Sequence, residues 1–282
     1  MKIKFWKMSG AGNDFVLINR SGSSAALKKL AVKFCDRKAG IGADGLLYVN
    51  KTGAGKISLR YFNSDGSEAF CGNGSRCAVW WAGCRGLVKG GHVELSTNLG
   101  VLPARITGHE KIKIRMPAVP AVRLDFKGAG PGPTGFAPSL RGLLRKCGAV
   151  TVHFLNTGVP HAVVPLKDLK TLEVSSLGRS LRFHKAFGPS GANIDFVELK
   201  GSRMAVRTYE RGVEAETLAC GTGITAAAIA LGLEKGLSCP VRVTAQSGER
   251  FKVWFKPGLR GSVDGIYLEG PAKLVFTGEI NI

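Results

Sequence analysis

The sequence predicts a strand-rich, mixed α/β (α+β) protein built from two similar domains. Three observations lead there. Many short β-branched or apolar runs are bounded by Gly, Pro, Asn or Asp, a few runs carry helical spacing, and the chain repeats itself at an offset of roughly 150 residues, the size of one domain.

In chain order, the runs that read as strands are Phe15 to Ile18, Leu46 to Val49, Ile57 to Phe62, Val93 to Ser96, Lys111 to Arg115, Val150 to Phe154, Val163 to Pro165, Phe196 to Leu199, Met204 to Tyr209, Val241 to Thr244 and Phe251 to Phe255. Helical spacing appears in Ala25 to Phe34, where Leu27, Leu30, Ala31 and Phe34 fall on one face, and again after Cys71 and after Cys220. The run that follows Cys220, ITAAAIALGL, is apolar on nearly all sides and predicts a buried helix, the spine of its domain. Gly128 to Ser139, GAGPGPTGFAPS, is the one stretch dense enough in Gly and Pro to read as a connector.

The repeat shows in three blocks. GNDFVLI at Gly12 to Ile18 answers GVPHAVV at Gly158 to Val164, and GADGLLYV at Gly42 to Val49 answers ANIDFVEL at Ala192 to Leu199. YFNSDGSEAFCGNG, ending at Gly74, answers TYERGVEAETLACGTG, ending at Gly223. Each is an aromatic-ended strand, an acidic polar loop, then Cys-Gly-x-Gly opening an apolar helix.

Composition narrows the function classes. At 282 residues, 44% of them hydrophobic, the chain exceeds the roughly 250 residues beyond which cores tend to split, which favours two domains. The N-terminus has neither an apolar stretch nor a cleavage-like site, and nowhere do about 18 apolar residues run together, so a soluble, cytoplasmic protein without membrane partners is expected. Forty Lys and Arg against 20 Asp and Glu give a net charge of +20, which would suit an anionic partner such as nucleic acid. The positive residues are scattered, however, and not interleaved with stacking aromatics, so a solvated basic surface is the better account. The seven cysteines, 35, 71, 77, 84, 147, 220 and 239, are odd in number and argue against a disulfide framework. Cys71, Cys77 and Cys84 are spaced too widely for paired zinc ligands, so no metal is expected.

Cys-Gly-x-Gly, twice, points to chemistry. The first turn of a helix leaves backbone N–H groups unpaired and carries roughly half a positive charge, so it receives a carboxylate well, and glycines let a ligand approach. A cysteine there is expected to have its pKa lowered from about 8.5 toward neutrality. Two matched cysteines suit inversion of an α-carbon, which needs a base on one face and an acid on the other. The amides of Gly72, Asn73, Gly221 and Thr222 would stabilise the enolate-like charge without a metal or other cofactor. The plainer alternative is that both cysteines are small buried residues at helix starts.

The motifs MSGAGNDF (Met8 to Phe15), CDRKAGIGADG (Cys35 to Gly45), FNSDGSEAFCGNGSRC (Phe62 to Cys77), NTGVPHAVV (Asn156 to Val164), GANIDF (Gly191 to Phe196), YERGVEAETLACGTG (Tyr209 to Gly223) and LEGPAKLVFTGEI (Leu268 to Ile280) resemble the diaminopimelate epimerase family, in order and over nearly the whole chain. The resemblance implies two pseudo-symmetric domains, residues 1–116 with 264–282 and residues 117–263. Each would be a β-sheet wrapped round a central helix, with the active site in the interdomain cleft. It implies a cofactor-independent isomerase that interconverts L,L- and meso-diaminopimelate for lysine and peptidoglycan synthesis, with Cys71 and Cys220 as the acid/base pair.

By motif position, Asn13, Asn63, Asn193 and Arg211 would hold the distal amino-acid end of this small-molecule substrate, Arg211 gripping a carboxylate in two-pronged fashion. His161 and Glu210 would tune the thiols or hold the reacting amine. Each has a simpler alternative: Asx turns for Asn13 and Asn63, a turn cap for Asn193, a solvated ion pair for Glu210 and Arg211, a satisfied core histidine for His161. Two residues depart from the family, whose members often carry Gln at the place of Gly45 and Asn at the place of Val159. A racemase of another amino acid, a basic binder of anions or nucleic acid, and a homodimer all remain open at this stage.

Overall fold

A computed structural model describes residues 2–20, 22–126 and 138–281. Most of the glycine- and proline-dense connector expected at 128–139 therefore lies outside the described residues. The chain forms two compact units, one made of Met1–Arg115 with Glu269–Ile282, the other of Met116–Leu268.

The first unit runs β1 (Lys2–Gly10), β2 (Asn13–Ile18), α1 (Ser24–Cys35), β3 (Gly45–Gly53), β4 (Lys56–Asn63), β5 (Glu68–Ala69), α2 (Gly72–Cys84), β6 (His92–Thr97), β7 (Gly100–Gly108) and β8 (Lys111–Arg115). The second runs β9 (Val122–Arg123), α3 (Pro138–Lys146), β10 (His153–Asn156), β11 (Pro160–Leu166), α4 (Val174–Arg182), β12 (Asn193–Lys200), β13 (Arg203–Glu210), β14 (Ala215–Thr217), α5 (Gly221–Lys235), β15 (Val241–Ala245) and β16 (Arg250–Pro257). Strand β17 (Val263–Pro271) carries the chain back into the first unit, where β18 (Lys273–Asn281) lies antiparallel along β1.

The ladders show the duplication directly. In the first unit β1 and β2 are antiparallel, β2 and β3 parallel, β3 and β4 antiparallel, β4 and β6 parallel, and β6 and β7 antiparallel. In the second, β10, β11, β12, β13, β15 and β16 repeat that series step for step. Strands β4 and β13 even share one alternation of buried and open positions along their eight residues, as a sheet with one face on a core requires. The register revises one sequence match. Phe15 faces Gly45 and His161 faces Asn193, so Gly45 corresponds to Asn193, two residues from the pairing that the sequence blocks suggest.

Each sheet curls round its own helix. Helix α2 packs against β1, β2, β3, β4, β6, β7, β8 and β18, and α5 against β10, β11, β12, β13, β15 and β16. The all-apolar pattern of α5 finds its explanation here, since every residue from Gly223 to Gly232 is buried. Each unit also has an outer core beneath a second helix. Leu27, Ala31 and Phe34 of α1 meet Val16, Ile18 and Leu46, while Val174 and Leu181 of α4 meet Val164, Ile194 and Phe196. Each large side chain so buried contributes about 1.5–3 kcal/mol.

The expected helix at Ala25 to Phe34 appears as α1, with Ser23 accepting a bond from the Ala26 amide as N-cap. The strand expected at Val150 to Phe154 starts later, at His153, because Val150 is 80% exposed and lies before the paired residues. Among the described residues no helix is long and apolar enough to cross a membrane.

Candidate active site

Cys71 and Cys220 hold the same local position in the two units. Each is the N-cap of its central helix in extended conformation, with φ −138° and ψ 114° for Cys71, φ −108° and ψ 111° for Cys220. Each carbonyl accepts the first helical bond at 2.9 Å, from Ser75 and from Ile224. The side chain of such a residue lies over the unpaired first-turn amides. Gly72 and Asn73, and Gly221 and Thr222, are the residues that supply them.

In the first unit Cys71 is half-buried, and its sulfur accepts from the Gly74 amide at 3.4 Å. Its S–H points to Asn13 Oδ1 at 3.6 Å, which Asn73 Nδ2 also approaches, at 3.5 Å. Asn13 is oriented by its other end, where Nδ2 donates to Asp44 at 2.6 Å. Asp44 belongs to an ionic cluster with Arg37, Asp14 and Lys7, in which Arg37 bonds both carboxylates and Lys7 reaches Asp14 and the Gly42 carbonyl. Burial works against the Asp14 carboxylate, but the bonds from Arg37 and Lys7 outweigh it and hold its pKa well below the usual 3.8. Beneath the helix start, the fully buried Arg76 donates to Asn73 Oδ1 at 2.7 Å and to the Pro271 carbonyl at 3.1 Å. Burial lowers its pKa to about 10, so it stays charged at neutral pH.

Asn63, at the end of β4, sits in a turn. Its backbone amide donates to the Ser67 carbonyl and its carbonyl accepts from Gly66, while its side chain bonds Tyr61 and Ser67 rather than closing an Asx turn. Gly45 faces it across the ladder. A side chain at Gly45 has no room, since its Cβ would collide with the Tyr61 ring and stand 2.6 Å from the Phe62 carbonyl oxygen.

The second unit is built from titratable groups. His161 is fully buried, with Nδ1 2.7 Å from Asp195 Oδ2, and Asp195 Oδ1 accepts from Thr208 at 2.8 Å. The histidine is thus a satisfied one, and its Nε2 lies 3.5 Å from Asn193 Nδ2. Asn193 joins two turns, donating to the Pro160 carbonyl at 3.1 Å and accepting from the Arg211 amide at 2.7 Å. Glu210 is held by the Thr217 hydroxyl at 2.9 Å rather than by Arg211, and burial pushes its pKa up. Val159 is half-buried, and its carbonyl accepts from the Thr157 amide. Gly223 is obligatory, because a Cβ there would run into the Asp195 carboxylate and stand 3.1 Å from Thr208 Oγ1.

Cys220 reverses one expectation. Only 6% exposed, its thiol is pushed well above the ordinary 9.0, by burial first and then by the charges of Glu210 and Asp195. The Thr222 hydroxyl, 3.3 Å away, and the Gly223 amide pull the other way but do not win. The helix terminus therefore does not by itself yield a thiolate. The remaining buried cysteines are also thiols, Cys35 raised to about 12 and Cys147 to about 11 by burial.

Sequence reasoning left out Asp195, Thr208, Tyr61 and Arg76. Asp195 had one visible signal, a carboxylate in the middle of the apolar run Ile194 to Val197. Tyr61 and Thr208 look like ordinary strand residues, and only the tertiary bonds reveal them.

The model of the family described as diaminopimelate epimerase matches residues 5–122 and 153–275, which hold both cysteine caps and their surroundings. The chain belongs to the diaminopimelate epimerase family. It is 38% identical over 280 residues to the diaminopimelate epimerase of Chlorobaculum tepidum, covering 98% of this chain and 100% of that one. It is 39% identical to that of Aquifex aeolicus, covering 99% and 98%. Solved structures share the fold at low identity. A PhzF-family phenazine biosynthesis protein of Bacillus anthracis aligns with TM-score 0.73 at 18% identity over the full length of both chains. A hydroxyproline epimerase of Agrobacterium vitis, with bound trans-4-OH-L-proline, aligns with TM-score 0.64 at 14% identity, covering 99% of this chain and 92% of that one.

Proposed function

We propose that this protein is a diaminopimelate epimerase that interconverts the L,L and meso isomers in the cytoplasm without a cofactor, using Cys71 and Cys220 as its two acid/base groups. The observation that carries the reading is the matched pair of cysteine N-caps in duplicated units, within a chain whose relatives bear that name over their full length. The α-proton of an amino acid is a poor acid. A thiolate on one face removes it, a thiol on the other returns it, and the first-turn amides of Gly72, Asn73, Gly221 and Thr222 hold the carboxylate on which charge develops.

The two caps enter this cycle in different states. Cys220, kept as a thiol by burial and by Glu210 and Asp195, is the proton donor of the resting enzyme, and Cys71 is the base once the proton it directs at Asn13 has left it. A substrate ammonium beside Glu210 would offset that carboxylate and let the roles exchange in the reverse direction. Asn13, Asn63, Asn193 and Arg211 serve the distal amino-acid end in this reading, Asn193 by anchoring the Arg211 backbone.

In deuterated water, L,L-diaminopimelate should yield inverted product carrying solvent deuterium before deuterium enters recovered substrate. Prompt wash-in to the substrate would instead mean one base serving both faces. A substrate panel tests the identity: preference for an amino acid with a single carboxylate would replace diaminopimelate with another racemase substrate.

A further inference from the structure

Four residues between Tyr61 and Ser67 form a hydrogen-bond relay whose direction can be worked out from one end. The Asp65 carboxylate only accepts, and the Ser67 hydroxyl and amide that bond it at 2.6 and 2.7 Å keep its pKa below the ordinary 3.8. The Ser67 hydroxyl proton is thereby committed to Asp65, so toward Asn63 the Ser67 oxygen accepts, from Nδ2 at 2.9 Å. The amide of Asn63 is then fixed: Oδ1 must face the other way, where it accepts from the Tyr61 hydroxyl at 2.7 Å. One amide N–H and one oxygen lone pair of Asn63 remain with no partner among the described residues, a donor and an acceptor suited to the carboxylate and ammonium of an amino acid.

The Tyr61 ring is itself held in place. It stands edge-on to the buried Phe15, with ring centres 5.9 Å apart, and lies against Gly45, where any Cβ would collide with it. Gly45 is what gives that ring its room.

Resting on the epimerase reading above, we propose that Tyr61 is a positioning residue that fixes the amide of Asn63 and so sets affinity for the distal amino-acid end of the substrate. Losing one such bond without leaving a charge unpaired costs binding about 3- to 10-fold. Because the distal end is held alike in ground and transition states, the loss falls on KM.

The experiment compares wild type with Tyr61→Phe, Ser67→Ala, Asn63→Ala and the double variant Asn63→Ala/Tyr61→Phe, with urea midpoints confirming that each folds. Wild-type inversion of diaminopimelate is the control, and its absence would refute the epimerase reading itself rather than the role of Tyr61. Given that control, Tyr61→Phe should raise KM about 3- to 10-fold with kcat within about twofold, and Ser67→Ala should act the same way more weakly. In the Asn63→Ala background Tyr61→Phe should add nothing. An unchanged KM in Tyr61→Phe, a fall confined to kcat, or additive effects in the double variant would each overturn the proposal.

Discussion

The two cysteine caps share a backbone but differ in what surrounds them. Around Cys71 stand uncharged amides, Asn13 and Asn73, and the buried Arg76, whose charge interacts with the sulfur directly, with Asp44 one step removed. Around Cys220 stand Glu210 and the buried pair His161 and Asp195, and the thiol itself is nearly sealed. At equivalent ladder positions Phe15 answers His161, Gly45 answers Asn193 and Asn63 answers Glu210. Duplication thus preserved the means of presenting a sulfur atom, while the side chains diverged to give one half a lining of amides over a buried arginine and the other a lining of carboxylates and a histidine. A symmetric reaction is served by unlike halves.

The largest test of this contrast is to remove each sulfur in turn. Cys71→Ala and Cys220→Ala should both abolish inversion, by at least the roughly 10²–10⁴-fold that general acid/base groups supply, as followed by chiral separation of the isomers. Substantial turnover surviving in either variant would take that residue out of the chemistry.

Stability should separate the halves next. Asp195→Ala strands the buried His161 and Thr208, and urea unfolding should show a loss of about 3–5 kcal/mol. The corresponding disruption in the first unit, Asn13→Ala, should cost about 1 kcal/mol, because Asp44 keeps its bond to Arg37. Equal losses would contradict this difference between the halves.

Chemical labelling reads the thiols themselves. At pH 7 iodoacetamide should modify the half-buried Cys71 well before Cys220, which should stay nearly untouched, since each pKa unit above the working pH cuts the thiolate fraction about tenfold. Mass spectrometry of a pH series should show Cys220 labelling rise at alkaline pH. Faster labelling of Cys220 at neutral pH would mean that burial and its carboxylates do not govern it.

The smallest effect lies in the ionic cluster of the first unit. Asp14 has a folded-state pKa below its ordinary 3.8, so its contribution is complete above that pH and is lost as pH falls through and below it. Asp14→Asn should flatten the acid limb of the stability curve below about pH 4, as followed by thermal melts. An unchanged acid limb would mean that Arg37 and Lys7 do not stabilise that carboxylate.

Local pattern accounts for part of what sequence reasoning reached. The all-apolar run after Cys220 announced a buried helix, and the twice-written Cys-Gly-x-Gly announced two matched caps. Helix α4, VSSLGRSLR, escaped because Ser, Gly and Arg weaken its apolar face, and β18 escaped because Leu274, Val275 and Phe276 lie in a row and are all exposed. Strand β1 was legible and overlooked, since Ile3 and Phe5 alternate with Lys2 and Lys4 at the period of a strand. The state of Cys220 was not legible at all. It depends on carboxylates 10 and 25 residues away whose distance from the sulfur is set by sheet register.

The return of β18 to lie along β1 bears on how the molecule comes into being. Residues Lys2 and Asn281 are ladder partners although nearly the whole chain separates them. A ribosome delivers every strand of the second unit before the one that completes the first, so the half that starts first is finished last, and β1 has to keep an open flank throughout synthesis. The lysines that punctuate β1 at positions 2, 4 and 7 suit that wait, because charge along an unpaired strand discourages the wrong neighbour.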